Sequence, residues 1–298
     1  LHYRPAPAET FPATVYVPVV PQLIEVAAQR ATASVVLRNL QLELSASGPC
    51  SDRRGGTCSS DEAEDAYAAV QVSTSPHTIV QNLTLLDVGG YGLSVQGSSN
   101  CTIDRIAILG AGAGGVSLLR SDYSTVSNSW VRSFGRRQPA GVGVLMASSQ
   151  HSVVEHCDIS DGFFNGLAGG GTNNSGSYST YRLNHVHSNG RESDDGICDF
   201  GGIHVANTGS TLPGPWITDN IFSNITSFAN GGAGIYLDVS SVGMIVERNL
   251  AYDISYSGFH WNVNPGVTQP MSNPMTIRNN VFVLDRENEF YRRKGSLS

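Results

Sequence analysis

The chain has 298 residues with 33 glycines, 14% charged residues and a net charge of -7, a composition unusual for a helical protein and typical of a globular, turn-rich one. Its longest basic run is Arg292-Arg293-Lys294, so we expect no nucleic-acid partner, which would require a basic surface. No apolar run approaches the roughly 20 residues that cross a bilayer, so we also expect no membrane span.

Residues 1–66 fit poorly to any repeat and are predicted to form a lead-in segment and a loop. Residues 1–25 are rich in proline and read as non-helical, whereas the apolar alternation over residues 34–42 could form a first, incomplete coil. The Gly/Ser/Asp-rich loop that follows contains Cys50 and Cys58. In an oxidising compartment the two cysteines could form a local disulfide, and the alternative is two unrelated thiols.

Beyond this segment, a glycine followed by alternating apolar residues recurs seven times, and an Ile/Val/Leu-rich anchor follows each glycine. Successive anchors lie about 23 to 34 residues apart, a spacing typical of solenoids and propellers. The glycine stretches begin at Gly92, Gly115, Gly141, Gly166, Gly202, Gly234 and Gly258, and the anchors are Ile103, Val126, Val154, Leu183, Ile217, Val246 and Ile277.

The short apolar segments alternate with period two, as half-buried strands do, and helical patterning is absent. We therefore predict an all-β parallel β-helix of about eight coils over residues 67–284, with about three strands per coil. Residues 285–298 form a truncated C-terminal tail in this prediction. A propeller is the alternative, but its blades need about 40 to 45 residues each.

Asparagines recur at or near one offset after the anchors. We expect them to form a side-chain amide ladder at a tight bend, and we assign them no catalytic role. They are Asn82, Asn128, Asn220, Asn249 and Asn280.

The candidate site lies on the last three glycine strands. Aligning these strands places His204, Tyr236 and His260 in one outward column, and Ala206, Asp238 and Asn262 in the next. Earlier coils carry small residues at the first of these positions. Stacked outward side chains on flat strand faces suit an extended polymer such as a polysaccharide.

Two aspartates are the candidate catalytic groups. Asp199 ends a long departure from the repeat, residues 165–200, and Asp238 lies one coil further on. Adjacent coils could bring the two carboxylates within the roughly 5 to 9.5 Å that glycosidases use. The alternative is that Asp199 caps a turn and Asp238 is a solvated charge.

Several of these motifs resemble glycoside hydrolase family 141. They are Asp199-Phe-Gly-Gly-Ile-His204, Gly234-Ile-Tyr-Leu-Asp238, Gly258-Phe-His260 and Asn184-His-Val-His187. The resemblance implies a right-handed parallel β-helix that hydrolyses a plant or algal cell-wall polysaccharide through Asp199 and Asp238, without a cofactor. The expected substrate-binding residues are His187, His204, Tyr236, His260 and Asn262. His204 stands where the family usually has tyrosine, and Val239 where an acidic residue is common, which affects the identity of the sugar.

Two other functions remain open from the sequence. One is a polysaccharide lyase or epimerase, in which Glu192, Asp194 and Asp195 would join Asp199 in holding calcium and Arg191 or His204 would be the base. The other is a non-catalytic glycan-binding scaffold. Calcium dependence would favour the lyase, and sugar binding without turnover would favour the scaffold.

The sequence favours no metal site under the hydrolase interpretation. His185, His187 and His204 are candidate zinc ligands, and His185 and His187 lie on one face of a strand, but a third ligand on that face is not evident. Hydrogen bonding to structure or substrate is the preferred role for all three.

Sequons at Asn82, Asn100, Asn173 and Asn224, with the cysteine pair, weakly favour an extracellular or secretory location, or the periplasm in a bacterium. We expect a monomer. The chain starts without methionine and stops within a repeat, so we expect a fragment or a processed product.

Overall fold

The computed structural model of the protein describes residues 17–27, 34–47, 66–170, 176–190, 199–206, 212–227, 231–238, 241–262 and 274–283. Within these ranges every regular element is a β-strand, and no helix is long and apolar enough to cross a membrane. Cys50, Cys58, Arg191, Glu192, Asp194, Asp195, Val239 and residues 285–298 lie outside the described residues.

The 24 described strands follow the chain in order. They are β1 (Ile24–Ala27), β2 (Val36–Glu43), β3 (Ala68–Ser73), β4 (Ile79–Leu86), β5 (Tyr91–Gln96), β6 (Thr102–Leu109), β7 (Val116–Leu119), β8 (Thr125–Ser127), β9 (Trp130–Arg132), β10 (Val144–Ala147), β11 (Val153–Glu155), β12 (Asp158–Ser160), β13 (Leu167–Gly170), β14 (Thr180–Arg182), β15 (His185–His187), β16 (Phe200–Ala206), β17 (Trp216–Thr218), β18 (Ile221–Ile225), β19 (Gly231–Leu237), β20 (Ile245–Glu247), β21 (Leu250–Ile254), β22 (Ser257–Trp261), β23 (Thr276–Arg278) and β24 (Val281–Phe282).

The strands stack coil upon coil into two sheets, as the repeat predicted. The first sheet has nine parallel strands in the order β1-β3-β5-β7-β10-β13-β16-β19-β22. The second sheet has fifteen strands. It begins with the long strands β2, β4 and β6, and β6 pairs with both β8 and β9. From there two adjoining stacks continue, one from β8 to β23 and the other from β9 to β24. Coils from β7 onward therefore carry three strands, and the earlier ones carry two. β1 and β2 pair with β3 and β4, so coil structure extends into residues 1–66.

The core is a column of aliphatic side chains. At one register of the first sheet, six successive coils each contribute a fully buried side chain, and each is worth roughly 1.5 to 3 kcal/mol when buried. These residues are Leu93, Val116, Val144, Leu167, Ile203 and Ile235.

The hydrogen-bonded register corrects two positions of the predicted repeat. Val116 pairs with Val144, so the glycine equivalent to Gly115 is Gly143 and not Gly141. In the second sheet Val154 pairs with Tyr181 of the following coil, so the buried anchor of that following coil is Tyr181 and not the predicted Leu183. Leu183 is instead exposed, with a left-handed backbone. In both places alternation of period two made positions two residues apart look equivalent.

The glycines recur because the second sheet and the next strand of the first sheet both lie close against them. A Cβ atom on Gly202 would lie 2.8 Å from the Gly234 carbonyl oxygen and 2.6 Å from a ring carbon of Phe222. A Cβ atom on Gly234 would lie 2.7 Å from the carbonyl oxygen of Gly258. A side chain at either position would therefore push adjacent coils apart.

The predicted asparagine ladder is confirmed in its later coils and corrected in its earlier ones. Asn220, Asn249 and Asn280 belong to it, and Asn184 precedes them. The side-chain oxygens of Asn220, Asn249 and Asn280 each accept from the backbone N–H and the side-chain amide of the asparagine one coil earlier.

Asn82 and Asn128 lie one residue earlier in the coil, at the bend where the second sheet turns. Both have a positive φ, 52° and 50°, which asparagine tolerates better than most residues. Asn82 donates to Asn39, and Asn128 donates to Asp104. The two asparagines therefore stabilise the bend and are not members of the buried ladder.

Candidate functional site

The three strands predicted to carry the site are neighbours in the first sheet. β16 pairs with β19 and β19 with β22, and their register places His204 beside Tyr236 and Tyr236 beside His260. This confirms the predicted column. The His204 and Tyr236 ring centroids lie 5.2 Å apart, and those of Tyr236 and His260 lie 4.8 Å apart in an edge-to-face arrangement, a favourable geometry for aromatic rings.

Asp238 and Asn262 form the second column, one residue beyond the ends of β19 and β22. The Asn262 side-chain amide donates to Asp238 Oδ1 across 2.8 Å. The other carboxylate oxygen, Oδ2, lies 3.5 Å from His204 Nε2. Both the Asp238 and His204 side chains are largely buried, so these contacts fix the carboxylate between two coils.

Asp199 joins the group from the start of β16. Its backbone is left-handed, with φ at 61°, and the pairing of β16 with β19 shifts register immediately after it, between Phe200 and Gly201. The Gly201 N–H donates to the Asn165 side chain across 2.8 Å. This local bend turns Asp199 toward the next coil, where its Oδ1 accepts a 2.9 Å hydrogen bond from the Tyr236 hydroxyl.

Tyr236 links the two aspartates electrostatically. Burial raises its pKa above the ordinary range, and the hydrogen bond to Asp199 and the charges of Asp238 and Asp199 add to the effect. Asn262 acts in the opposite direction but does not cancel it. The hydroxyl therefore stays protonated at neutral and mildly alkaline pH and serves as a hydrogen-bond donor.

A polar cavity of about 290 Å³ opens at this place. It is lined by Asp199, Gly231, Ala233, Tyr236, Tyr256, His260 and Asn262. Asp238 and His204 are not among its lining residues, and Asn262 connects Asp238 to it. Tyr256, whose ring centroid lies 5.4 Å from that of His260, was not predicted from the sequence. Its position four residues before His260 would have been the only signal.

The predicted substrate-binding residues separate into two groups. His204, Tyr236, His260 and Asn262 lie together, whereas His187 lies on β15 in the second sheet, beside Asp158 and His185. The predicted calcium ligands Glu192, Asp194 and Asp195 lie outside the described residues.

Comparison with known proteins agrees with this architecture. The family model described as "Right handed beta helix region" matches residues 68–220, which is half of the chain. No curated protein sequence matches the chain.

Among solved structures, one named "Glycoside hydrolase" is 14% identical with a TM-score of 0.57, over 76% of this chain and 40% of its own. The pectate lyase Pel9A is 13% identical with a TM-score of 0.52, over 90% and 66% of the two chains. The tailspike protein of E. coli bacteriophage HK620, solved with a pentasaccharide, is 13% identical with a TM-score of 0.51, over 89% and 47%.

These likenesses establish the fold. The chain spans 40% to 66% of the length of the three solved structures. At such low identity the activities of those proteins do not carry over to this chain.

Proposed function

This chain belongs to the right-handed β-helix family, and we propose that it is a carbohydrate-active enzyme that hydrolyses glycosidic bonds of a plant or algal cell-wall polysaccharide. The observation that carries the proposal is the contact of Asp199 and Asp238 with one aromatic column beside an open polar cavity. A glycosidase needs two carboxylates beside its substrate; here Asp199 lines the cavity, and Asp238 is held behind it by Asn262, which also lines it.

Each side chain of the group has a role in this mechanism. Asp199 lines the cavity and contacts the scissile bond, and Tyr236 holds one of its oxygens in place. Asp238 acts as the second carboxylate, positioned by the amide of Asn262. Of the two, one protonates the leaving oxygen, and the other attacks the sugar or activates water. The rings of Tyr256 and His260 offer faces on which a sugar can pack.

The resemblance to glycoside hydrolase family 141 supports this assignment at the motif level. The named solved structures include a glycoside hydrolase and a tailspike bound to a pentasaccharide. They support a carbohydrate substrate rather than a particular sugar.

The proposal is tested by reducing-end release from plant and algal polysaccharides and aryl glycosides. Asp199→Asn and Asp238→Asn should each abolish release, with and without chelator. Asparagine suits Asp199 because it tolerates the left-handed backbone there. Asp87→Asn is the matched control, since Asp87 is exposed, has φ at 48° and lies far from the cavity in sequence and coil.

Three results would redirect the assignment. Calcium-dependent release of unsaturated, ultraviolet-absorbing ends would show a lyase. Glycan binding without turnover would show a binding scaffold. Full activity in both aspartate variants would move the catalytic site elsewhere.

We also propose that the protein acts as a monomer outside the cytoplasm, where a polysaccharide substrate is found. Two of its sequons, Asn82 and Asn100, are exposed. Peptide mapping of the native protein for glycans at these sites and for a Cys50–Cys58 disulfide tests the location.

A further inference from the structure

Three potential metal ligands converge on the outer face of the second sheet, and none of them lines the cavity. His185 and His187 project from the same face of β15, because residues two apart on a strand share a face. Asp158 stands beside them at the start of β12, one coil earlier, as the register partner of His185. The ligand missing from the local sequence is thus supplied by the previous coil.

The atoms face one another at distances close to those of a coordination sphere. Asp158 Oδ2 lies 3.8 Å from His185 Nδ1 and 3.5 Å from His187 Nε2. All three ligand atoms lie within 4.8 Å of one another. In tetrahedral zinc sites, bonds of about 2.0 to 2.1 Å place ligand atoms about 3.3 Å apart. The measured carboxylate–imidazole distances exceed this value by a few tenths of an ångström, and the widest separation by up to about 1.5 Å, so side-chain adjustments on this scale would close the site around an ion.

In each of the three side chains, the polar atom that does not face the other ligands contacts a neighbouring polar group, as is usual for metal ligands. The Arg132 guanidinium donates to Asp158 Oδ1 across 3.0 Å, leaving Oδ2 toward the histidines. His185 Nε2 lies 3.2 Å from the Ser223 hydroxyl, and His187 Nδ1 lies 3.3 Å from that of Ser188. Such outer contacts orient the rings and select the nitrogen that faces the metal.

A cation at this place would face one carboxylate, that of Asp158, and two imidazole rings. The three side chains are one quarter to two fifths exposed, so solvent reaches the remaining coordination positions.

We propose that Asp158, His185 and His187 form a binding site for a first-row transition-metal ion, with Zn²⁺ as the expected occupant and one position open to water. Two imidazole nitrogens and one carboxylate oxygen are a ligand set for zinc and its neighbours, whereas calcium and magnesium take oxygen ligands. The site is independent of the proposed hydrolase chemistry.

The test is metal titration of the untagged, chelator-treated chain. Zn²⁺ should bind with a stoichiometry of one in calorimetry, and Co²⁺ should give a visible absorption spectrum that Zn²⁺ displaces. Asp158→Asn and His187→Gln should each weaken Zn²⁺ binding more than about tenfold, because losing a ligand should cost more than the roughly tenfold minimum typical of losing an outer contact. His77→Asn is the control, since His77 is exposed on another coil and its φ of 60° suits asparagine.

A second variant covers the case in which a ligand change disturbs folding. Ser223→Ala leaves all three ligands in place and removes the contact to His185 Nε2, so binding should weaken about tenfold. Circular dichroism checks that each variant is folded. Absent saturable binding in the wild type, or equal affinity in wild type and folded Asp158→Asn and His187→Gln, would overturn the proposal.

Discussion

The Tyr236 hydroxyl donates a 2.9 Å hydrogen bond to Asp199 Oδ1, although the two residues lie 37 positions apart in the sequence. Asp199 immediately precedes β16 and Tyr236 lies in β19, the next strand of the first sheet. The bond joins successive coils beside the cavity. It therefore couples the geometry of the candidate acid or nucleophile to the stacking of the coils.

Replacing Tyr236 with phenylalanine should lower turnover about 10²-fold, a typical loss for one positioned donor at a reacting group. The ring still packs between His204 and His260, so the fold should persist. Initial rates on the substrate found in the polysaccharide panel measure the effect. The control is Tyr252→Phe, on an exposed tyrosine of the second sheet. Equal loss in both variants, or none in either, would contradict a role for the hydroxyl.

Replacing Asn220 with alanine should destabilise the protein by about 3 kcal/mol or more. Its amide oxygen accepts from the backbone and side chain of Asn184, and its amide nitrogen donates to the carbonyl of Tyr181. Each buried polar group left without a partner costs about 1 to 3 kcal/mol. Denaturant unfolding measures the change.

The matched control for the ladder is Asn82→Gly. Asn82 is exposed and left-handed, a conformation that glycine adopts freely. We expect a loss of about 1 kcal/mol or less there. Equal losses of unfolding free energy in the two variants would show that the buried ladder contributes no more to stability than the exposed asparagine does.

Replacing Gly202 with alanine should cost about 1 to 3 kcal/mol, the usual price of overpacking. The new Cβ would lie 2.8 Å from the backbone oxygen of Gly234, which cannot move without shifting the next coil. Thermal unfolding gives the measurement. Gly97→Asn is the comparison, since an added Cβ there has its nearest neighbour 4.0 Å away. A neutral Gly202 variant would mean that the coils are further apart than described.

Arg248 should stabilise the protein more at neutral than at acidic pH. Its hydrogen bonds lower the pKa of Asp219, and hydrogen bonds from Arg278 and then from Arg248 lower the pKa of Glu247. A carboxylate with a lowered pKa contributes stability that is present above its unfolded pKa of about 4 and lost as the pH falls through its folded pKa. Arg248→Asn should therefore destabilise the protein at pH 7, and this loss of stability should be smaller at about pH 2.5, below the unfolded pKa of both carboxylates.

Unfolding curves at the two pH values test the Arg248 prediction. Arg120→Asn is a suitable control, because Arg120 is also exposed and left-handed, with φ at 49° against 53° for Arg248. A pH-independent effect of Arg248→Asn would assign its role to packing instead of charge.

Much of the candidate site was predictable because parallel stacking repeats one register from coil to coil. Once the glycine strands were aligned, His204, Tyr236 and His260 had to share a column, and the pairing confirms it. Which glycine aligns with those of the other coils was harder to predict. Gly141-Val-Gly143-Val offers two equivalent alternations, and only hydrogen bonding between coils selects Gly143.

The sequence by itself determined the coiled architecture, since inward apolar residues and glycines must recur once per turn for a column to close. Tertiary structure alone decided which polar side chains meet. Asp158 reaches His185 and His187, and Tyr256 enters the wall of the cavity, because coil lengths and bends set contacts across the stack. Those contacts depend on side-chain directions at strand ends, where a left-handed residue such as Asp199 redirects the chain in a way that periodicity does not encode.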